Sequence, residues 1–144
     1  MPTEAATISR ILGAPRARSG SLFDIARTVE AGLPVAALDR VVGFVAPDDA
    51  GFATRLVPKA TLSRRRASEA GTLSVEEGNK VARLAKVWAM AMRVWGDEED
   101  ARAFLRRPHP MLDGRAPRDV AAASDPGADA VVNIIGGGAY GGGV

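Results

Sequence analysis

The stretch Ser74-Val-Glu-Glu-Gly-Asn-Lys-Val-Ala-Arg-Leu-Ala-Lys-Val-Trp-Ala-Met-Ala-Met-Arg-Val-Trp-Gly96 has the clearest boundaries in the 144-residue chain. Ser74 is suited to cap a helix, and Glu77 follows three residues later, which is the spacing of a reciprocal capping box. Val81, Leu84, Val87 or Trp88, Ala91 and Trp95 then recur at steps of three and four, the period of one apolar helical face. Gly96 supplies the stop. A long helix with these ends sets the expectation of an all-α fold.

Moving toward the C-terminus, Asp97 caps a further helix whose inward residues are Ala101, Phe104 and Leu105, and Pro108 and Pro110 end it. Leu112-Asp113-Gly114 reads as a turn. Pro117 opens a short helix through Ala123, Asp125-Pro126-Gly127 reads as another turn, and a last helix carries Val131, Val132, Ile134 and Ile135. Moving toward the N-terminus, Gly71 closes a helix over Ala60–Ala70. Pro58 separates that helix from a short one over Gly51–Val57, where Phe52 and Leu56 stand four apart. Two short helices across a tight break, the second of them basic, form the outline of a helix-turn-helix. Before them, Pro34 starts a helix with the stripe Val35, Leu38, Val41, Val42 and Val45. Its β-branched run also suits a strand, but no partner strand is evident. Leu22, Ile25, Ala26 and Val29 mark another helix that stops at Gly32, and Met1 to Ser21 reads as a loose arm with at most one short helical turn.

Composition narrows the function classes. The chain has no cysteine, so neither a disulfide framework nor a thiolate metal site is available. No apolar run approaches the roughly 20 residues of a membrane span, and Glu4, Arg10, Arg16 and Arg18 break any leader-like segment; a cytoplasmic location is the expectation. The only histidine, His109, lies between two prolines and suits a turn better than a catalytic base. With one histidine and scattered carboxylates, no metal or cofactor is expected and the chain reads as a non-enzyme. The acidic run Asp97 to Asp100 fits the first turn of a helix, where it opposes the helix dipole.

Two segments stand out. The net charge is only +2, yet Ala50 to Ser68 holds Arg55, Lys59, Arg64, Arg65 and Arg66 and no acid. That block marks a nucleic-acid surface or simply a solvated helix face; the helix-turn-helix outline favours the first. Lys59, Thr61, Ser63, Arg64, Arg65 and Arg66 are then the DNA-binding candidates. Successive residues diverge by about 100° around a helix, so the three arginines cannot share one job: one or two meet phosphates and at most one reads guanine. The second segment is the glycine-rich end, Gly136, Gly137, Gly138, Ala139, Tyr140, Gly141, Gly142, Gly143 and Val144. It lacks the Lys-Ser or Lys-Thr pair and the following helix of a phosphate loop. A disordered tail is the plain alternative. Tyr140, flanked by six glycines, instead suggests a plug: glycines admit a backbone to a narrow slot, and a lone aromatic anchors it. The Val144 carboxylate would meet a cationic group there.

The stretch from Thr61-Leu-Ser-Arg-Arg-Arg66 through Leu73-Ser-Val-Glu-Glu77 resembles the Xre-type region of the Xre/MbcA/ParS antitoxins. The following stretch is similar to the toxin-binding domain of the same family. Its pattern is an aromatic-Leu helix end, a Pro, a Leu-x-Gly-x-x-Pro turn and a Gly-x-x-x-Val helix, here Phe104-Leu105, Pro108, Leu112 to Pro117, and Gly127 with Val131. Family members often have tryptophan where Phe104 stands and asparagine where His109 stands. The resemblance implies an Xre-like helix-turn-helix region over 22–73 and a toxin-binding helical domain over 74–138; outside it the chain reads as an arm over 1–21 and a glycine-rich tail over 139–144. It implies a toxin partner, often of the RES type that acts on NAD, blocked by the C-terminal domain, with Leu112, Gly114, Pro117 and Ile135 as candidate contacts; the tail is not fixed by the motif, and its blocking role rests on the physical argument above. The resemblance further implies operator binding and a homodimer. The contrasting readings are a helix-turn-helix regulator without a toxin, and an interaction module that has lost DNA binding.

Overall fold

The computed structural model describes residues 3–13 and 21–139, with the side chains of 138 and 139 excepted. Nine α-helices follow one another among these residues: α1 Glu4–Leu12, α2 Leu22–Ala31, α3 Val35–Val45, α4 Phe52–Leu56, α5 Lys59–Ala67, α6 Val75–Trp95, α7 Glu98–Arg106, α8 Pro117–Ala123 and α9 Asp125–Ala139. A single 3-10 turn, Pro110–Leu112, lies between α7 and α8. The Val35–Val45 stretch is helical, as its stripe predicts over its β-branched composition.

α6 is the axis of the molecule and packs against α1, α2, α3, α4, α7, α8 and α9. Its start is the predicted capping box: the Ser74 hydroxyl accepts from the Glu77 amide at 3.2 Å, and the Ser74 amide donates to Glu77 Oε1 at 2.8 Å. Gly96 ends it at φ 69°, where a left-handed residue carries no Cβ penalty. Val87 and Trp88 are both buried, because α6 is surrounded rather than lying on a surface. Trp88 stacks on Phe44 of α3 at 5.5 Å, and Trp95 on Phe104 of α7 at 4.7 Å.

Two expectations are corrected. Residues 4–12 are not a loose arm but a helix that buries Ala5, Ile8, Ile11 and Leu12 against α6 and α3. Thr3 caps its start, accepting from the Ala6 amide at 3.0 Å. Its end is held by Arg40 of α3, which donates to the carbonyls of Ile11 and Arg10, both at 3.1 Å. Likewise Asp125-Pro126-Gly127 is not a turn but the first turn of α9. Ser124 accepts from the Gly127 amide at 3.0 Å, and proline is at home in a first helical turn. In turn, Leu22 lies outside the core, at 59% exposure, although Ile25 and Val29 of the same helix are inside.

The hold Arg40 has on α1 recurs elsewhere. Arg102 Nε donates to the Phe44 carbonyl at 2.8 Å, near the end of α3, and Lys80 Nζ to the Leu56 carbonyl at 3.2 Å, at the end of α4. Arg83 donates to the carbonyls of Ala121 and Ala122 at 3.0 and 3.1 Å, at the end of α8. Each places a cation where a helix presents unpaired carbonyls and the negative pole of its dipole. Four basic side chains, Arg40, Lys80, Arg83 and Arg102, thus join helices end to side.

Candidate functional site

The basic candidates lie on α5, which follows α4 across Val57 and Pro58. Phe52, Leu56, Val57 and Leu62 face inward and fix the pair on the body of the protein. Leu62 is the single buried residue of α5, so the outward face is made by the residues on the opposite side at 100° steps: Ala60, Ser63, Arg64 and Ala67, all exposed. Thr61 is half-buried on one flank. The three consecutive arginines separate sharply. Arg65 forms a two-pronged pair with Glu77 of α6, at 3.1 and 3.2 Å. Arg66 does the same with Asp39 of α3, at 2.8 Å for each contact. Arg64 and Lys59 are exposed and make no ion pair among the described residues. Burial tends to raise the Glu77 carboxyl, but the hydrogen bonds from Arg65 and Ser74 outweigh it and hold the group below its ordinary range.

The second set of candidates surrounds the turn after α7. Asp113 and Gly114 adopt left-handed backbone, at φ 56° and 76°. The turn closes through the His109 amide on the Arg115 carbonyl and the Gly114 amide on the His109 carbonyl, both at 3.0 Å. His109 Nδ1 accepts from the Met111 amide at 3.1 Å, so the histidine builds the turn, with its ring edge against Phe104. Leu112 is half-buried and Gly114 exposed. Pro117 and Ile135, by contrast, are buried: Pro117 starts α8, and Ile135 is fully enclosed in the core. Neither is placed to touch another molecule, and both support the surface from beneath. An open cleft of about 850 Å³ beside the turn is lined by Trp95, Phe104, His109 and Met111, the last 74% exposed. Gly136 and Gly137 belong to α9, which runs through Gly138 to Ala139. Tyr140 to Val144 lie outside the described residues.

Residues 24–86 match the antitoxin Xre-like helix-turn-helix domain, and residues 90–141 match the antitoxin Xre/MbcA/ParS C-terminal toxin-binding domain. The chain belongs to the Xre/MbcA/ParS antitoxin family. No curated protein matches the antitoxin. Its first domain carries the α4–α5 pair, and its second carries the turn, α8 and α9. The sequence expectation placed the division at residues 73 and 74, before α6. The family models meet inside α6 instead, so the two domains of the antitoxin share one uninterrupted helix.

A cluster of charge also joins them. Arg118 of α8 is 8% exposed and donates to both carboxylate oxygens of Asp48, at 2.8 and 3.1 Å. Asp48 lies in the loop that leads into α4. Its neighbour Asp49 pairs with Arg55 of α4, and Arg55 reaches Asp119 of α8 at 3.4 Å. The guanidinium groups of Arg55 and Arg118 both lie over the Phe52 ring, at 5.2 and 6.0 Å. The hydrogen bonds from Arg118 hold the Asp48 carboxyl below its ordinary value, and that from Arg55 does the same for Asp49. The sequence reading missed this cluster, because the residues that pair are as much as 70 positions apart.

Proposed function

We propose that this antitoxin neutralises a RES-type, NAD-consuming toxin by inserting its glycine-rich C-terminal segment into the toxin's active site, and that it represses its own operon through α4 and α5. The observation that carries the first part is the anchoring of α9. A helix held by buried Val131 and Ile135 launches a segment of glycines with the single aromatic Tyr140. Such a segment fits a slot shaped for a nucleotide, where an aromatic ring stacks and bulky side chains do not pass. We assign the antitoxin no catalysis of its own. The test is co-purification with the product of the adjacent gene, with and without residues Ala139–Val144. Both versions are expected to form a complex, and only the full chain to stop NAD consumption. Full inhibition by the shortened chain would sink the plug and move the blocking role to the Leu112–Gly114 turn. Failure of both versions to bind would favour a regulator without a toxin.

For DNA, we propose Arg64 as the contact that enters a groove, with Lys59 on a phosphate; in support, both are exposed, whereas Arg65 and Arg66 are engaged by Glu77 and Asp39. Small neighbours, Ala60, Ser63 and Ala67, let that face approach closely. Arg64→Ala is expected to weaken operator binding and to reduce the slope of log K against log salt by about 1 if its contact is to phosphate. If Arg64 reads a guanine, specificity at one base pair relaxes by roughly 1–3 kcal/mol. Arg66→Ala, which removes only an ion pair with Asp39, leaves the slope unchanged. Equal slopes for the parent and the Arg64 variant, with equal affinity, would remove Arg64 from the interface.

A further inference from the structure

Glycine occurs in α9 for two different reasons. At Gly127 nothing else fits, because an added Cβ would lie 2.2 Å from the Val120 carbonyl oxygen. At Gly136 and Gly137 packing demands nothing of the kind. A Cβ on Gly136 would meet only the flexible end of Met90, at an ordinary 3.8 Å, and one on Gly137 would meet nothing within 4 Å. Neither has a positive φ, so no turn requires glycine there. Both stand in a helix, where each glycine lowers helix propagation roughly five-fold relative to alanine. They begin at the first position after Ile135, which is fully buried. Gly138 extends the run, and no basic residue falls in the last turn. The ends of α1, α3, α4 and α8 are held by Arg40, Arg102, Lys80 and Arg83, as described above.

We propose that Gly136–Gly138 is a convertible turn, helical in the free antitoxin and unwound in the complex with the toxin, with Ile135 as its fixed pivot. The inference rests on the plug reading above and says how the plug is delivered. A helix rises 1.5 Å per residue and an extended chain about 3.4 Å, so unwinding residues 136–139 adds roughly 7 Å of reach beyond the packed body. The ligand of the unwound segment is a slot narrow enough to admit main chain. The glycines serve both ends of the change: they weaken the helix that must open and slim the chain that must enter.

Size and helicity are separable by experiment, because serine is larger than alanine and a poorer helix former. We compare the G136A/G137A and G136S/G137S double variants with the parent, using the toxin from the adjacent gene. The alanine pair should slow amide exchange at residues 136–139 of the free antitoxin. It should also weaken inhibition on the order of 20-fold, while the complex still forms. The serine pair should weaken inhibition less, by roughly 5-fold. Parental inhibition by the alanine pair, in a protein whose Ala139–Val144 deletion does abolish inhibition, overturns the conversion and leaves the plug standing. Serine weaker than alanine overturns it too, since bulk and not helicity would then govern. Inhibition that survives the deletion removes the plug and the conversion with it.

Discussion

Gly127→Ala is expected to destabilise the antitoxin by about 3 kcal/mol, at the upper end of what overpacking costs. The methyl group would sit 2.2 Å from the Val120 carbonyl oxygen, 3.1 Å from its carbon and 3.0 Å from Ser124 Oγ. The first two are main-chain atoms of α8, which cannot swing aside as a side-chain terminus can. To make room, α8 and α9 must part, and that loosens buried Ala121, Ala128 and Val131. In a chain of this size the loss corresponds to roughly 10 °C in Tm. A thermal melt of the variant checks it, and a midpoint within 2 or ~3 °C of the parent would show that the helices do not approach as closely as described.

Arg118→Ala should destabilise as well, from a different cause. The substitution leaves Asp48 without its two-pronged partner and strips the cation from the face of Phe52. Only the arginine of this pair is buried; the Asp48 side chain is 41% exposed and rehydrates once freed, so the loss is that of a charge-assisted, half-exposed contact, about 1–3 kcal/mol. The pH dependence gives a second check. Folding lowers the Asp48 carboxyl below the ordinary 3.8 chiefly through Arg118, whereas Asp49 is lowered chiefly by Arg55, which the variant keeps. The Asp48 contribution is therefore complete above about pH 4 and fades as pH falls through its lowered folded value. The gap in stability between parent and variant should be widest near neutrality and shrink in acid below pH 4. A gap that stays constant down to pH 2 would mean that packing over Phe52, and not the charge pair, carries the effect.

The parts of this fold that could be read from the sequence are those governed by neighbours in the chain. Ser74 and Glu77 declare the start of α6 within four residues, and Gly96 its end; Asp97 declares α7 in the same way. The helix-turn-helix outline rests on Phe52 and Leu56 before Pro58 and on the basic run after it. What escaped reading depends on distant residues. α1 is short, with Ser9 among its buried positions, and is secured by Arg40 from 29 positions away, so its own segment carries little periodic signal. Asp125-Pro126-Gly127 has the composition of a turn, and only the close approach of α8 explains its glycine as a packing residue. The basic run shows the same limit at the candidate DNA-binding surface. Arg64, Arg65 and Arg66 are indistinguishable in the sequence, and Asp39 and Glu77 separate them only once the helices are assembled.

The helix that both family domains share sets a condition on inheritance. α6 runs unbroken from Val75 to Trp95, about 30 Å, and the two domain models meet within it. A recombination joint between residues 86 and 90 that added or lost a single residue would rotate one half against the other by about 100°. Trp88, Ala89 and Ala91 would leave the sides of the helix that they bury. A new pairing of the two matched domains is consequently viable only when the crossover keeps the length of this helix to the residue.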